Sequence, residues 1–240
     1  MWPSIHLSGT GVTISAYHLF HVVAWFVFYF VGTGLTRSRP DLRRHWLLTA
    51  VGLALCDTVG ARVAFQIIHG RGSSGFFATP LLFAFLTGAY CIARKVRATP
   101  FIDAWAVAFS ASHVFEKIAC LAAGCCFGRP TQSVFGVAIG AMHGDTTRYL
   151  PLPLLEASLH LIMALFLALL YRRGLFQGRL VMLLGVFYGF WRSATDLARG
   201  GQKSPFLDGP LSVAQVACVL AMIFSLVYLV TKSGESRHAR

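Results

Sequence analysis

Apolar runs of roughly 20 residues recur along this chain, the length an α-helix needs to cross a hydrocarbon core about 30 Å thick. They place spans near Val12–Leu35, Trp46–Ile68, Gly75–Ala93, Phe101–Leu121, Leu154–Tyr171, Gly178–Ala198 and Leu211–Thr231. The expected fold is all-α: a polytopic integral membrane protein, about seven transmembrane helices in one bundle. Composition agrees, since 56% of residues are hydrophobic and 12% charged, against roughly 25% charged in soluble domains. No linker or repeat interrupts the chain, so residues 1–240 read as a single transmembrane domain. Met1 to Thr10 carries no Lys or Arg, so no cleavable signal peptide is expected and the first run stays in the protein. The connection from Ala122 to Pro153 is rich in Gly, Pro and Thr and reads as a loop, partly re-entrant.

Charge then orients the bundle. Thirteen Lys or Arg flank one side, in Arg37–Arg44, Arg94–Arg97, Arg172–Arg179 and the tail from Lys232. Five flank the other: Arg71, Arg129, Arg148, Arg199 and Lys203. The positive-inside rule places the N-terminus outside and the C-terminus in the cytoplasm, for a multi-pass protein of a bacterial cytoplasmic (inner) membrane. Most of the net charge of +12 then faces anionic membrane lipid, and no nucleic-acid partner is implied.

Seven ionisable residues fall within or at the edges of apolar runs: Asp57, Arg62, Glu116, Lys117, Glu156, Arg192 and Asp196. Left unpaired at mid-membrane they would cost on the order of 20 kcal/mol, so they are expected near interfaces, paired, or lining a wet cavity. Tyr188, Arg192, Asp196 and Arg199 follow helical steps of four, four and three. His113, Glu116, Lys117 and Cys120 are likewise three or four apart, so each set shares one helix face. Two such stripes facing each other make a polar cavity, and cations in a lipid-facing pocket suit phosphate, which Arg binds through two parallel bonds. Arg192–Asp196 as an ion pair that merely fixes packing is the structural alternative.

His18, His21 and His160 lack metal-ligand spacing and read as packing residues. Cys56, Cys91 and Cys218 read as small buried hydrophobes. Cys125 and Cys126 are adjacent on the outer side and offer a redox-active pair, against which stands the strain of bridging adjacent cysteines. Leu121-Ala122-Ala123-Gly124-Cys125 has the letters of a lipobox, but it is internal and reads as coincidence.

Taken in order, several motifs resemble the prolipoprotein diacylglyceryl transferase family over nearly the whole chain. Ile14-Ser15-Ala16-Tyr17 is similar to the start of the family's first span, Gly60-Ala61-Arg62 to its G-A-R motif, and Asp103 to the Asp opening its fourth span. Glu116-Lys117-Ile118-Ala119-Cys120-Leu121 stands where the family has G-R-x-G-N-F. Gly124-Cys125-Cys126-Phe127-Gly128-Arg129-Pro130-Thr131 follows, resembling divergent members. Pro151 to Glu156 is similar to H-P-x-Q-L-Y-E, and Tyr188-Gly189-Phe190-Trp191-Arg192 with Asp196 and Arg199 to Y-G-x-x-R-F-x-x-E-x-x-R. The departures are Lys117 for the signature Arg, Cys120 for Asn, Leu150 for His and Pro153 for Gln. The family's H-G-G element has no counterpart near Ser74–Pro80, and His69-Gly70-Arg71-Gly72 lies a few residues upstream.

The resemblance implies transfer of diacylglyceryl from phosphatidylglycerol to the lipobox Cys thiol of a prolipoprotein signal peptide, with membrane lipids as surroundings and no cofactor or metal. On that reading Arg192 clamps the phosphate, helped by Lys117, Arg62, Arg199 and Arg129. Asp196 orients Arg192, and Tyr188 donates to a phosphate or ester oxygen. Glu156 holds Arg129 or positions the peptide. The general base is open, with His113 a candidate. Two other functions fit the residues: a divergent paralogue that binds or transfers a different lipid group, and a transporter whose intramembrane charges form a pathway.

Overall fold

The computed structural model describes residues 4–6, 13–60, 78–96, 98–138, 146–199 and 211–238. A short antiparallel hairpin, β1 (Ser4–His6) and β2 (Thr13–Ser15), comes first. Helices follow: α1 (Ala16–Leu35), α2 (Pro40–Arg43), α3 (His45–Leu55), α4 (Ala78–Ala93), α5 (Ala98–Ala123), α6 (Leu152–Arg172), α7 (Leu180–Leu197) and α8 (Val213–His238). Between α5 and α6 a second hairpin pairs β3 (Val137–Ala138) with β4 (Arg148–Tyr149). The chain is mostly helical, as the apolar runs predict. Four helices, over Ala16–Leu35, Thr99–Ala123, Leu152–Arg172 and Ala214–Thr231, are long and apolar enough to cross a membrane.

The sequence boundaries shift in identifiable ways. The first helix starts at Ala16 rather than Val12, because Thr13–Ser15 pairs as strand with Ser4–His6. The second run is α-helical to Leu55 and then widens into a π-turn over Cys56–Gly60, which contains Asp57. Its remainder (61–68), Arg62, Arg71, Lys203 and the His69–Gly72 string lie outside the described residues, as does the start of the third run. α5 is longer than its predicted span at both ends.

Side chains sort by face. α5 is the most buried of the four long apolar helices and packs between α1 and α6, while α7 packs on α8. Phe28, Trp46, Phe101, Leu167 and Leu180 are fully enclosed. Phe30, Phe85, Ile92, Leu165, Phe190, Phe224 and Val230 point outward. An apolar exterior of that extent marks a surface that meets something other than water.

Two devices set the helix ends. Pro153 falls in the first turn of α6, where a missing N–H leaves no bond unmade. α7 has no capping side chain of its own. Asp103 of α5 supplies one, accepting the N–H of Gly178 and that of Leu180 at 3.0 Å. A carboxylate there satisfies orphan donors and meets the positive end of the helix dipole.

Candidate active site

The ionisable residues gather at one end of the bundle, where α5 and α7 finish and α6 begins. α5 brings His113, Glu116 and Lys117, α6 brings Glu156 and His160, and α7 brings Tyr188, Arg192 and Asp196, with Arg199 just past its end. Glu156 is the hub, only 1% exposed. Its Oε2 lies 2.7 Å from Lys117 Nζ. Its Oε1 accepts from Arg199 Nη2 at 2.7 Å and Thr195 Oγ1 at 3.1 Å. Arg192 Nη1 stands 3.8 Å from the same oxygen and 3.4 Å from Asp196 Oδ1.

These distances separate the cations. Lys117 and Arg199 are at the short contact of a tight charge-assisted pair, about 2.7–2.9 Å, and Arg192 is not. Arg192 is 7% exposed and, among the described residues, its guanidinium is only loosely held. Lys117, Arg192 and Arg199 thus converge on two carboxylates, Glu156 and Asp196.

Asp196 is positioned from the next helix. Ser212 and Gln215 form a reciprocal capping box at the start of α8: Gln215 N–H donates to Ser212 Oγ at 3.0 Å, and Ser212 N–H to Gln215 Oε1 at 2.9 Å. Ser212 Oγ donates in turn to Asp196 Oδ2 at 2.6 Å.

A second layer is aromatic. His113 Nδ1 lies 2.7 Å from Glu116 Oε2. Its ring centroid is 4.5 Å from that of His160, and Tyr188 stands 5.6 Å from His160 and 6.2 Å from His113. His160 is fully buried, and neither of its ring nitrogens has a hydrogen-bond partner among the described residues. The packing role read for it from sequence holds, and the structure adds that it packs against the charged cluster. Its spacing of four from Glu156 on an apolar helix was the available signal. His21 is buried with Nδ1 3.0 Å from the Tyr17 carbonyl, whereas His18 is exposed rather than packed.

The outer loop closes on the same end. Arg129 N–H donates to the Ala198 carbonyl at 2.9 Å, but its side chain is exposed. Glu156 pairs with Lys117 and Arg199 instead of Arg129, because Arg199 follows α7 directly into the cluster. Cys125 and Cys126 are not an isolated pair: with Cys120 they form a trio whose sulfurs lie within 4.8 Å of one another. The Cys126 thiol is pulled well below its ordinary range by hydrogen bonds from Cys120 and Cys125, with further help from Lys117 and Arg199. Cys56, Cys91 and Cys218 are buried, as expected.

Asp103 stands apart, fourteen positions before Lys117 and so about 20 Å along the same helix. It lines a separate cavity of about 390 Å³ with Arg39, Thr99, Tyr171 and Gln177.

None of the curated proteins matches the sequence. The family model described as prolipoprotein diacylglyceryl transferase matches residues 4–231. That match includes every residue of the charged cluster, from His113 to Gln215. This multi-pass membrane chain, with its buried Lys117–Glu156–Arg199 hub, belongs to the prolipoprotein diacylglyceryl transferase family.

Proposed function

We propose that the cluster around Glu156 takes the phosphodiester of phosphatidylglycerol and releases its diacylglyceryl group to the lipobox Cys thiol of an exported prolipoprotein. The loosely held guanidinium of Arg192 carries this reading. A phosphodiester brings one negative charge and paired oxygens, and a guanidinium donates to such oxygens through two parallel bonds. The carbon–oxygen bond of the diacylglycerol breaks, its electrons go to the phosphate oxygen, and the thiol sulfur forms the new bond to carbon. Negative charge grows on the leaving phosphate as the bond breaks, so fixed cations in a site poor in water stabilise the transition state more than the bound lipid.

Lys117 and Arg199 supply flanking charge, with Glu156 fixing both. Asp196, held by Ser212, sets the tilt of Arg192. Tyr188, its ring packed beside the two imidazoles, is the candidate donor to a phosphate or ester oxygen. His113, next to Glu116, is the candidate base. Arg62 is assigned to the phosphate by its motif alone. Phe187 and Phe190 on α7 face outward, and the lipid enters past them.

The chain forms one transmembrane domain of seven spans, in which α3 with its π-turn, α4 and α7 join the four long apolar helices. It lies in a bacterial cytoplasmic membrane with the charged cluster toward the outer face, as the cation asymmetry orients it.

A second reading, transfer of a different lipid group, draws on Lys117. An ammonium 2.7 Å from Glu156 is a point charge already neutralised, where the family signature has a fork. The experiment is transfer by purified protein from phosphatidylglycerol to a lipobox peptide, read as thioether formation, with phosphatidylethanolamine and cardiolipin as competing donors. A diacylglyceryl thioether formed from phosphatidylglycerol supports the first reading, and a peptide adduct whose mass is that of another lipid group supports the second.

A further inference from the structure

We propose that Cys120, Cys125 and Cys126 hold one thiophilic ion of the Zn²⁺ type, whose open fourth position takes the thiol of the acceptor peptide.

The trio is built by the helix end. α5 closes with Gly124 at φ 70°, its N–H bonded to the Leu121 carbonyl at 3.2 Å, and with Cys125 N–H bonded to the Cys120 carbonyl at 3.0 Å. That pair of bonds is a Schellman close, which folds the residue after the glycine back over the one five before it. In most helices the two residues so joined make an apolar contact; here they are both cysteines. Cys126 then takes φ 63°, a left-handed conformation that L-residues other than Gly rarely adopt. Strain of that kind gathers where a side chain must be aimed. The turn brings the third sulfur to within 4.8 Å of the other two.

The spacing suits an ion. Zn–S bonds of about 2.3 Å put the sulfurs of a tetrahedral site about 3.8 Å apart, so side-chain rotation of about 1 Å closes the trio. Three protein ligands with a free fourth position is the arrangement of reactive zinc rather than structural zinc. Three thiolates around a divalent cation carry one net negative charge. Arg199 lies against Cys126, and Lys117 is one turn before Cys120 on α5, so cations border that charge.

The chemistry answers the question of the base, and it rests on the transfer reading above. A thiol that ligates the ion loses its proton. Its lone pair attacks the glycerol carbon, the C–O bond electrons leave with the phosphate oxygen, and the released proton ends on that phosphate. The ion changes neither charge nor oxidation state. The thiol that reacts comes from the peptide; the three ligand thiols stay on the protein.

The full-length protein, purified in detergent with reductant, is stripped with chelator and titrated with Zn²⁺ alone and with Co²⁺ alone. One ion per chain and thiolate-to-cobalt charge-transfer bands are expected. A lipobox peptide should shift the cobalt spectrum, and its Ser analogue should not. Cys120→Ser and Cys126→Ser should weaken Zn²⁺ binding at least about tenfold, the lower end even for outer-shell changes, while Cys91→Ser keeps it. Transfer should fall at least tenfold on stripping, a loss scaled to the same metal-affinity range, and return with Zn²⁺. Absence of ion binding by wild type, or fewer than six free thiols after chelation and unfolding of protein prepared without reductant, overturns the inference. Full transfer by stripped protein also overturns it while leaving the transfer reading intact. A peptide-shifted cobalt spectrum with no thioether from any phospholipid supports the ion site and overturns the transfer reading instead.

Discussion

Arg192 and Glu156 show how differently two charged residues behave within 4 Å of each other. Glu156 is saturated by Lys117, Arg199 and Thr195, so Glu156→Gln strands two buried cations. A loss of about 3–5 kcal/mol is expected for a buried pair stripped of one partner, visible as early thermal aggregation in detergent. Thr195→Val removes one neutral donor and should cost about 1 kcal/mol. Arg192 has spare donors, and its test is activity rather than stability. Arg192→Lys keeps the charge and loses the fork. Transfer per folded molecule should fall by about ten- to a hundredfold, as about 1.5–3 kcal/mol of charged hydrogen bonding is lost. Near-normal transfer in Arg192→Lys would reduce Arg192 to a strut for Asp196.

Helices deliver these residues through their ends and their contacts. α7 is held at one end by Asp103 and along its length by α8, where Gly189 makes close approach possible. A Cβ there would sit 2.6 Å from the Cys218 carbonyl oxygen and 2.8 Å from Met222 Cβ. Small residues at helix crossings are the usual way to bring backbones together in a bilayer. Gly189→Leu should therefore push α7 off α8 and part Asp196 from Ser212, lowering transfer even in the fraction that remains folded. Asp103→Ala is the contrasting change. It uncaps α7 far from the charged cluster and should lower stability by about 0.5–2 kcal/mol, with transfer per folded molecule unchanged. A loss of transfer that exceeds the loss of folded protein in Asp103→Ala would tie the two ends of α7 together.

At the scale of the whole molecule the charged cluster sits at one end and the cation-rich flanks at the other. Lys117 and Arg199 belong to the first, and Arg37–Arg44 and Arg172–Arg179 to the second. The asymmetry predicts an outward-facing cluster and a cytoplasmic C-terminus. A reporter enzyme that works only outside the cytoplasmic membrane, fused after Arg240, should be inactive, and the same reporter placed ahead of Met1 should be active. The reverse pattern would invert the topology and put the cluster on the wrong side for an exported acceptor.

Hydrophobic length and helical spacing are local properties, and the chain states both directly. The apolar runs around Ala16–Leu35 and Leu152–Arg172, the stripe Tyr188–Arg192–Asp196 and the stripe His113–Glu116–Lys117 are legible because a 3.6-residue period fixes which side chains share a face. Which stripes meet is not local. Nothing in the spacing of Glu156 says that it neutralises Lys117 and Arg199 together, or that Arg129 stays outside while Arg199 turns in. Those choices depend on the crossing of three helices, each decided by packing along its whole length. The same holds for His160, whose neighbours come from α5 and α7, and for Asp103, whose partners are more than seventy positions away. The cysteine trio falls between these cases. Its residues are close in sequence, but only the left-handed backbone at Gly124 and Cys126, taken up as α5 ends, brings three separate thiols together.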